Sequence, residues 1–197
     1  MPNWTYNSAT VTGSTDKLKE LRKAIQNADD TVDITKINPI PDVFNNMHSG
    51  SRTIDGVRYS LWIEHPDGTV EGVNENELSK ILKLTGARDA LDWQYKNWGT
   101  KWGDCGTKIT EIDDNRLLLT FESAWGEPFL LIDDLANKFD VHISNTFHVE
   151  FEDEPEVSTY PMTALIRDEY NNNWANDIDK QHEQMLKYVK SIRQEEE

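Results

Sequence analysis

The chain has 197 residues, enough for one domain with a real core plus an appendage, and its seven Trp, six Tyr and six Phe supply large apolar side chains that argue against general disorder. Its formal net charge is −16, carried very unevenly: residues 1–110 hold 15 acids and 13 bases, whereas residues 111–197 hold 21 acids and 7 bases. So negative a surface repels phosphate, which disfavours sequence-independent binding of DNA or RNA and leaves a basic protein or a cation as the electrostatically attractive partner.

No run of eighteen apolar residues occurs, and the opening Met1-Pro-Asn-Trp4 lacks a basic segment followed by an apolar one. Neither a membrane span nor a secretory signal is therefore expected. The lone Cys105 has no partner for an intramolecular disulfide, which favours a cytoplasmic setting.

Trp4–Thr12, rich in Thr, Val and aromatics, reads as a strand ended by Gly13. Leu18, Leu21, Ile25 and Ala28 then share one helical face, and Val32–Ile37 reads as a short strand before the breaker Asn38-Pro-Ile-Pro-Asp. Val57, Tyr59, Leu61 and Ile63 alternate with polar or amphipathic neighbours, and the turn His65-Pro-Asp-Gly68 returns the chain through Thr69–Val73, an inserted hairpin. Asn74 with Glu77 three residues on is a capping box for a helix that Gly86 closes, and a second helix covers about 87–97.

Leu117, Leu119 and Phe121 alternate in a strand, after which Pro128 opens a helix whose Ile132, Leu135, Ala136 and Phe139 share a face. The last long strand puts Val141, Ile143, Phe147, Val149 and Phe151 on its buried side and His142, Ser144, Thr146, His148, Glu150 and Glu152 on the other. One strand–helix–strand early and another late predict an α+β fold: a ferredoxin-like split β-α-β sheet with helices on one face, an inserted β-hairpin and a C-terminal helix. The domain is expected to span 1–152, with inserted hairpin and helices at about 54–97. Residues 153–161, acidic with two prolines, read as a linker, and 153–197 as linker plus helix. Ile178, Met185 and Ile192 recur every seven residues, so that helix is expected to pack on its own domain, with self-association into a homo-oligomer as the alternative.

Three segments carry a family likeness. Met1-Pro-Asn-Trp4 leads a strand ending in Thr12-Gly13, the string Asn97-Trp98-Gly99-Thr100-Lys101-Trp102 sits at a helix end, and Phe121-Glu122-Ser123-Ala124-Trp125 is followed by Pro128 and an apolar helix. Together these resemble the YubB-like family with a ferredoxin-like domain, found on bacteriophages and conjugative plasmids. The likeness covers residues 1–40 loosely and 95–151 well. It departs where the family has Thr-Ala-Trp and then Ser-Pro-Pro, and it includes neither the hairpin near 54–73 nor the tail after 160. It implies a fold and a mobile-element origin, and no reaction.

Candidate sites follow from these patterns. Trp98, Trp102 and Trp125 read as a mostly buried structural cluster pinning a helix end, with Gly99 at positive φ and the Lys101 stem laid on a ring. Stacking on a base or sugar, with Lys101 near a phosphate, is the alternative, and makes the protein a small-ligand or nucleotide module. Glu150, Glu152, Asp153, Glu154 and Glu156 form an acidic docking surface running off the last strand. His148, Glu150 and Glu152 share a strand face but lack the second half of a metal site, so it reads as a solvated face. Cys105 reads as an inert thiol. No phosphate loop, nucleophile elbow or paired-histidine zinc helix is present, so no catalytic residue, metal or cofactor is assigned. The leading expectation is a non-enzymatic phage or mobile-element accessory protein of the bacterial cytoplasm. It would bind a basic or nucleic-acid-binding host protein through its acidic surface, inhibiting a host defence or nucleic-acid-processing factor, with no direct nucleic-acid or membrane contact.

Overall fold

The computed structural model describes residues 3–163, and the expected C-terminal helix lies outside them. The described residues up to Pro161 form one structural unit. Strand β1 (Trp4–Thr12) is followed by helix α1 (Thr15–Ile25), which buries Leu18, Leu21 and Ile25. After an insertion, β5 (Cys105–Asp113) and β6 (Arg116–Ala124) form a hairpin, then come α4 (Phe129–Phe139) and β7 (His142–Val149). Their sheet runs β5-β6-β1-β7, extended by β8 (Glu156–Tyr160) at the edge, and every neighbouring pair is antiparallel.

Two strands each feed a helix and return two places away across an intervening strand, which is the ferredoxin-like split β-α-β arrangement. Val11, Leu119 and Ile143 of the three central strands are buried with Leu131, Ile132, Leu135 and Ala136 of α4, so the core lies between the sheet and its helices. Asp16 in the first turn of α1 and Arg22 and Lys23 in its last turn complement the helix dipole.

The insertion is a second antiparallel sheet followed by two helices. Its strands are β2 (Met47–Ile54), β3 (Val57–Glu64) and β4 (Val70–Gly72). Asp55 and Gly56, both at positive φ, make the two-residue turn between β2 and β3. Helix α2 (Glu75–Thr85) starts at the expected capping box: Asn74 accepts from the Asn76 and Glu77 N–H groups, and the Glu77 carboxylate accepts from the Asn74 N–H. Helix α3 (Ala90–Trp98) starts at Asp89 and ends at Gly99, whose φ is 83°.

Three expectations need correction. Val32–Ile37 is no strand, because the Asp33 carboxylate accepts from the Thr35 N–H at 2.8 Å and winds residues Ile34–Ile37 into a 3₁₀ turn. Residues 153–161 are not a linker: after the turn, Glu156–Tyr160 pairs with β7 from Phe147 to Ile143, and the unit runs to Pro161. Phe151 does not continue the buried side of β7, for the ladder closes where the Glu150 N–H donates to the Trp4 carbonyl, and Phe151 then turns outward at φ 75°. No helix among the described residues is long and apolar enough to cross a membrane.

Candidate binding surface at one end of the sheet

Antiparallel pairing gathers distant residues at one end of the main sheet. There β1 and β5 begin, β6 and β7 finish, and β8 starts, so Trp4, Cys105, Ala124, Val149 and Glu156 mark a common edge. Every candidate site residue read from the sequence lies at or next to this end.

The three tryptophans do not form one buried cluster. Trp98 is 4 % exposed, donates its indole N–H to the Asn38 carbonyl at 2.8 Å, and meets Trp93 edge-on with centroids 5.7 Å apart, a structural role as expected. Trp102 is 36 % exposed and Trp125 53 % exposed, which overturns the expected burial. Trp102 is tilted against Trp4 at 5.9 Å, and its carbonyl accepts the Ala124 N–H. Lys101 lies with its ammonium 4.6 Å from the centre of the Trp102 ring, a cation–π placement. Trp125 donates its N–H to the Asn3 carbonyl and stands at φ 75°, a left-handed conformation that projects its indole from the end of β6. Gly99 has the expected positive φ, and a Cβ there would stand 2.4 Å from the Phe129 ring, so only glycine fits.

Beside Trp102 opens a cleft of about 500 Å³. It is lined by Val32, Asp33 and Thr35, by Gln94 and Trp98 of α3, and by Trp102 to Gly106. Asp104 holds the cleft together, with Oδ2 accepting the Ile34 N–H at 2.7 Å and Oδ1 the Thr107 N–H at 3.1 Å. Burial, reinforced by the Asp33 charge and outweighing the hydrogen bonds to Thr107 and Ile34, raises its pKa above the usual carboxylate value. The Cys105 thiol is likewise pushed up by burial and by Asp104 and Glu122, so it stays protonated at neutral pH and is a poor nucleophile.

The acidic candidates lie in the turn that joins β7 to β8 and at the first residue of β8. Glu150 is a structural anchor, its Oε2 accepting the Trp4 N–H at 3.1 Å. Glu152, Asp153, Glu154 and Glu156 are exposed, as is Phe151 at 85 %. Among the described residues none of the five acids forms an ion pair. His148 bonds the Glu152 carbonyl through Nε2 at 2.8 Å, and no group of three or more His, Cys, Asp or Glu stands ready for a metal among the described residues.

One feature of this end escaped the sequence reading. Glu127, in the loop after β6, accepts from Asn145 Nδ2 at 2.9 Å and from Ser158 Oγ at 2.6 Å, and is also hydrogen-bonded to Tyr160. Asn145 Nδ2 reaches Asn7 Oδ1 at 3.1 Å, and Asn7 Nδ2 reaches Ser123 Oγ at 2.9 Å. A polar band therefore crosses β6, β1, β7 and β8 inside the sheet's covered face. Burial raises the pKa of Glu127 and holds Tyr160 far above the ordinary phenol value. The available signal was phase: Asn7 and Asn145 stand on the same strand faces as Val11 and Ile143.

The fold and this edge define a ferredoxin-like α+β protein with an acidic, aromatic surface at one end of its sheet. No family model and no curated protein matches the chain. Among solved structures it is similar to the crystal structure of a protein api92 from Yersinia pseudotuberculosis, described by the DUF1281 family model. That match has 14 % identity and a TM-score of 0.48, and covers 81 % of this chain and 94 % of that one.

Proposed function

We propose that this protein is a non-enzymatic accessory protein of a phage or mobile element, whose sheet-end surface binds a basic host protein in the cytoplasm. A host defence or nucleic-acid-processing factor is the kind of partner it would inhibit, since such factors carry the basic surface that a negative patch covers. The observation that carries this reading is Trp4. Its ring lies on Trp102 and its N–H on the Glu150 carboxylate, so the aromatic cleft and the acidic turn adjoin. Exposed Trp102, Trp125 and Phe151 among carboxylates match the make-up of protein interfaces, where aromatic anchors bind and surrounding charges steer. Trp125 and Phe151 both stand at positive φ, a backbone cost that presenting two rings to a partner would account for.

The test is affinity capture from bacterial lysate, then association kinetics with the purified captured protein. Association is expected to slow as salt rises, and to slow when Glu152, Asp153, Glu154 and Glu156 are neutralised together. Kinetics indifferent to both changes would overturn the reading. A second reading, a small-ligand or nucleotide module, draws on the cleft beside half-exposed Trp102. The carboxylates of Asp33 and Asp104 oppose phosphate there, so tryptophan quenching by a nucleoside without matching quenching by its phosphates would favour that reading.

A further inference from the structure

We infer that the hairpin of β2 and β3 is an arm that docks on the acidic sheet end of a second copy of the chain. Arg52 and Arg58 meet Glu152 and Glu154, and Val57 meets Phe151. The contact needs no host protein, so it stands or falls independently of host-protein binding. Neighbouring residues of a strand point to opposite faces, so a run of exposed neighbours means a ribbon bare on both sides. Residues 49–53 of β2 are all exposed, as are Val57 and Arg58 of β3, and among the described residues β2 pairs on one side only. A two-stranded hairpin is marginally stable in water by itself, and near the Asp55-Gly56 turn this one has neither face fully covered.

The two surfaces are opposite in charge and both carry an exposed apolar side chain. Residues 51–60 hold Arg52, Arg58 and the single acid Asp55, and Val57 beside the turn is 52 % exposed. Neither arginine forms an ion pair among the described residues. Arg58 donates from Nε to Ser51 Oγ at 2.5 Å, and its terminal nitrogens remain to fork a carboxylate. Arg52 lies 5.5 Å from the centre of the Trp62 ring, a face contact that leaves the N–H groups at the guanidinium edge in place. At the sheet end, Glu152 and Glu154 are exposed and form no ion pair among the described residues, and Phe151 stands between the acids and Val149 with 85 % of its surface exposed. Charge also selects a second copy as the occupant. At a net charge of −16 the copies repel one another, so they approach most readily where a positive surface of one faces a negative surface of the other. The arm and the sheet end are such a pair on one chain. Each copy then has one surface to give and one to receive, and two copies can exchange arms.

The experiment is sedimentation velocity of the full chain over a concentration series, where the mass is expected to rise reversibly with concentration. Arg52→Glu with Arg58→Glu makes both surfaces acidic, and Glu152→Arg with Glu154→Arg makes both basic. Each double variant alone should self-associate at least about tenfold more weakly, the size of one lost charge-assisted pair. The second variant is the sharper test. It brings the net charge closer to zero, which by general repulsion alone would strengthen association. Mixed in equal amounts, the two variants should associate again, to within about threefold of wild type, because each then finds a complementary surface on the other. All four positions are exposed, so the melting of each variant should match wild type and a loss of association is not a loss of fold. A wild-type mass independent of concentration, association that survives in both variants, or a mixture that stays monomeric would overturn the assignment.

Discussion

Removing the Glu127 side chain should destabilise the fold more than any other change in the loop after β6. In Glu127→Ala, Asn145 Nδ2 keeps its bond to Asn7 but loses its acceptor at 2.9 Å, and the Tyr160 hydroxyl is left in a site where Tyr160 is 1 % exposed. A buried donor without a partner costs about 1–3 kcal/mol, and Ser158, which is part-exposed, adds about 1 kcal/mol or less because water replaces the acceptor. Against this stands relief from holding a carboxylate in a largely buried site. The net loss at neutral pH is expected at about 2–5 kcal/mol, a fall in Tm of roughly 5–15 °C for a domain of this size. Urea denaturation followed by tryptophan fluorescence measures it. Glu127→Gln adds a pH signature. Burial raises the native pKa of Glu127 above its usual 4.5, so the folded state binds that proton more tightly than the unfolded chain. Its contribution is fully present below about pH 4.5 and is lost as pH rises through the native value. Wild type should therefore lose stability relative to Glu127→Gln as pH rises across that window. A loss below about 1 kcal/mol in Glu127→Ala would refute the idea that this side chain ties the loop to the edge strands, and a difference from Glu127→Gln that is independent of pH would refute the raised native pKa.

Three further outcomes are expected. Trp98→Ala should cost about 3–5 kcal/mol and Trp125→Ala less than about 1 kcal/mol, since one indole is buried and the other half in solvent; thermal melting of the pair decides it. Gly99→Ala should cost about 2–4 kcal/mol, from the left-handed backbone and the clash with Phe129, and a melt unchanged from wild type would contradict that geometry. Changing Glu150, Glu152, Asp153, Glu154 and Glu156 together to Gln or Asn should slow association with the captured partner and flatten its salt dependence. Restoring Glu150 alone should recover any lost Tm, because that carboxylate holds the Trp4 N–H.

Local chemistry was readable wherever neighbours in sequence decide conformation. The Asn74 and Glu77 cap, the Gly86 and Gly99 helix ends, the α4 face and the alternation of β1 and β6 all appear as the residue pattern implied. The split β-α-β order followed from those elements. Strand β2 was not readable, because it is exposed along nearly its whole length and nothing forces its residues to alternate; only Asp55-Gly56 marked its turn. The acidic stretch after residue 152 looked like a linker because an edge strand with one neighbour needs little apolar content, and pairing with β7 was a fact about distant backbone.

The sequence by itself determined helices α1 to α4, the central strands, the acidic run after β7 and the tryptophan string, since each rests on periodicity, capping or composition over a few residues. Only tertiary structure decided that Trp4 joins Trp102 to Glu150, that Trp125 and Phe151 face solvent, and that Glu127 meets Asn145 and Ser158 inside the sheet. The physical reason is register. A one-residue change in how β1, β6, β7 and β8 align would send Trp4, Asn145 and Ser158 to the opposite face, and no local pattern specifies that alignment.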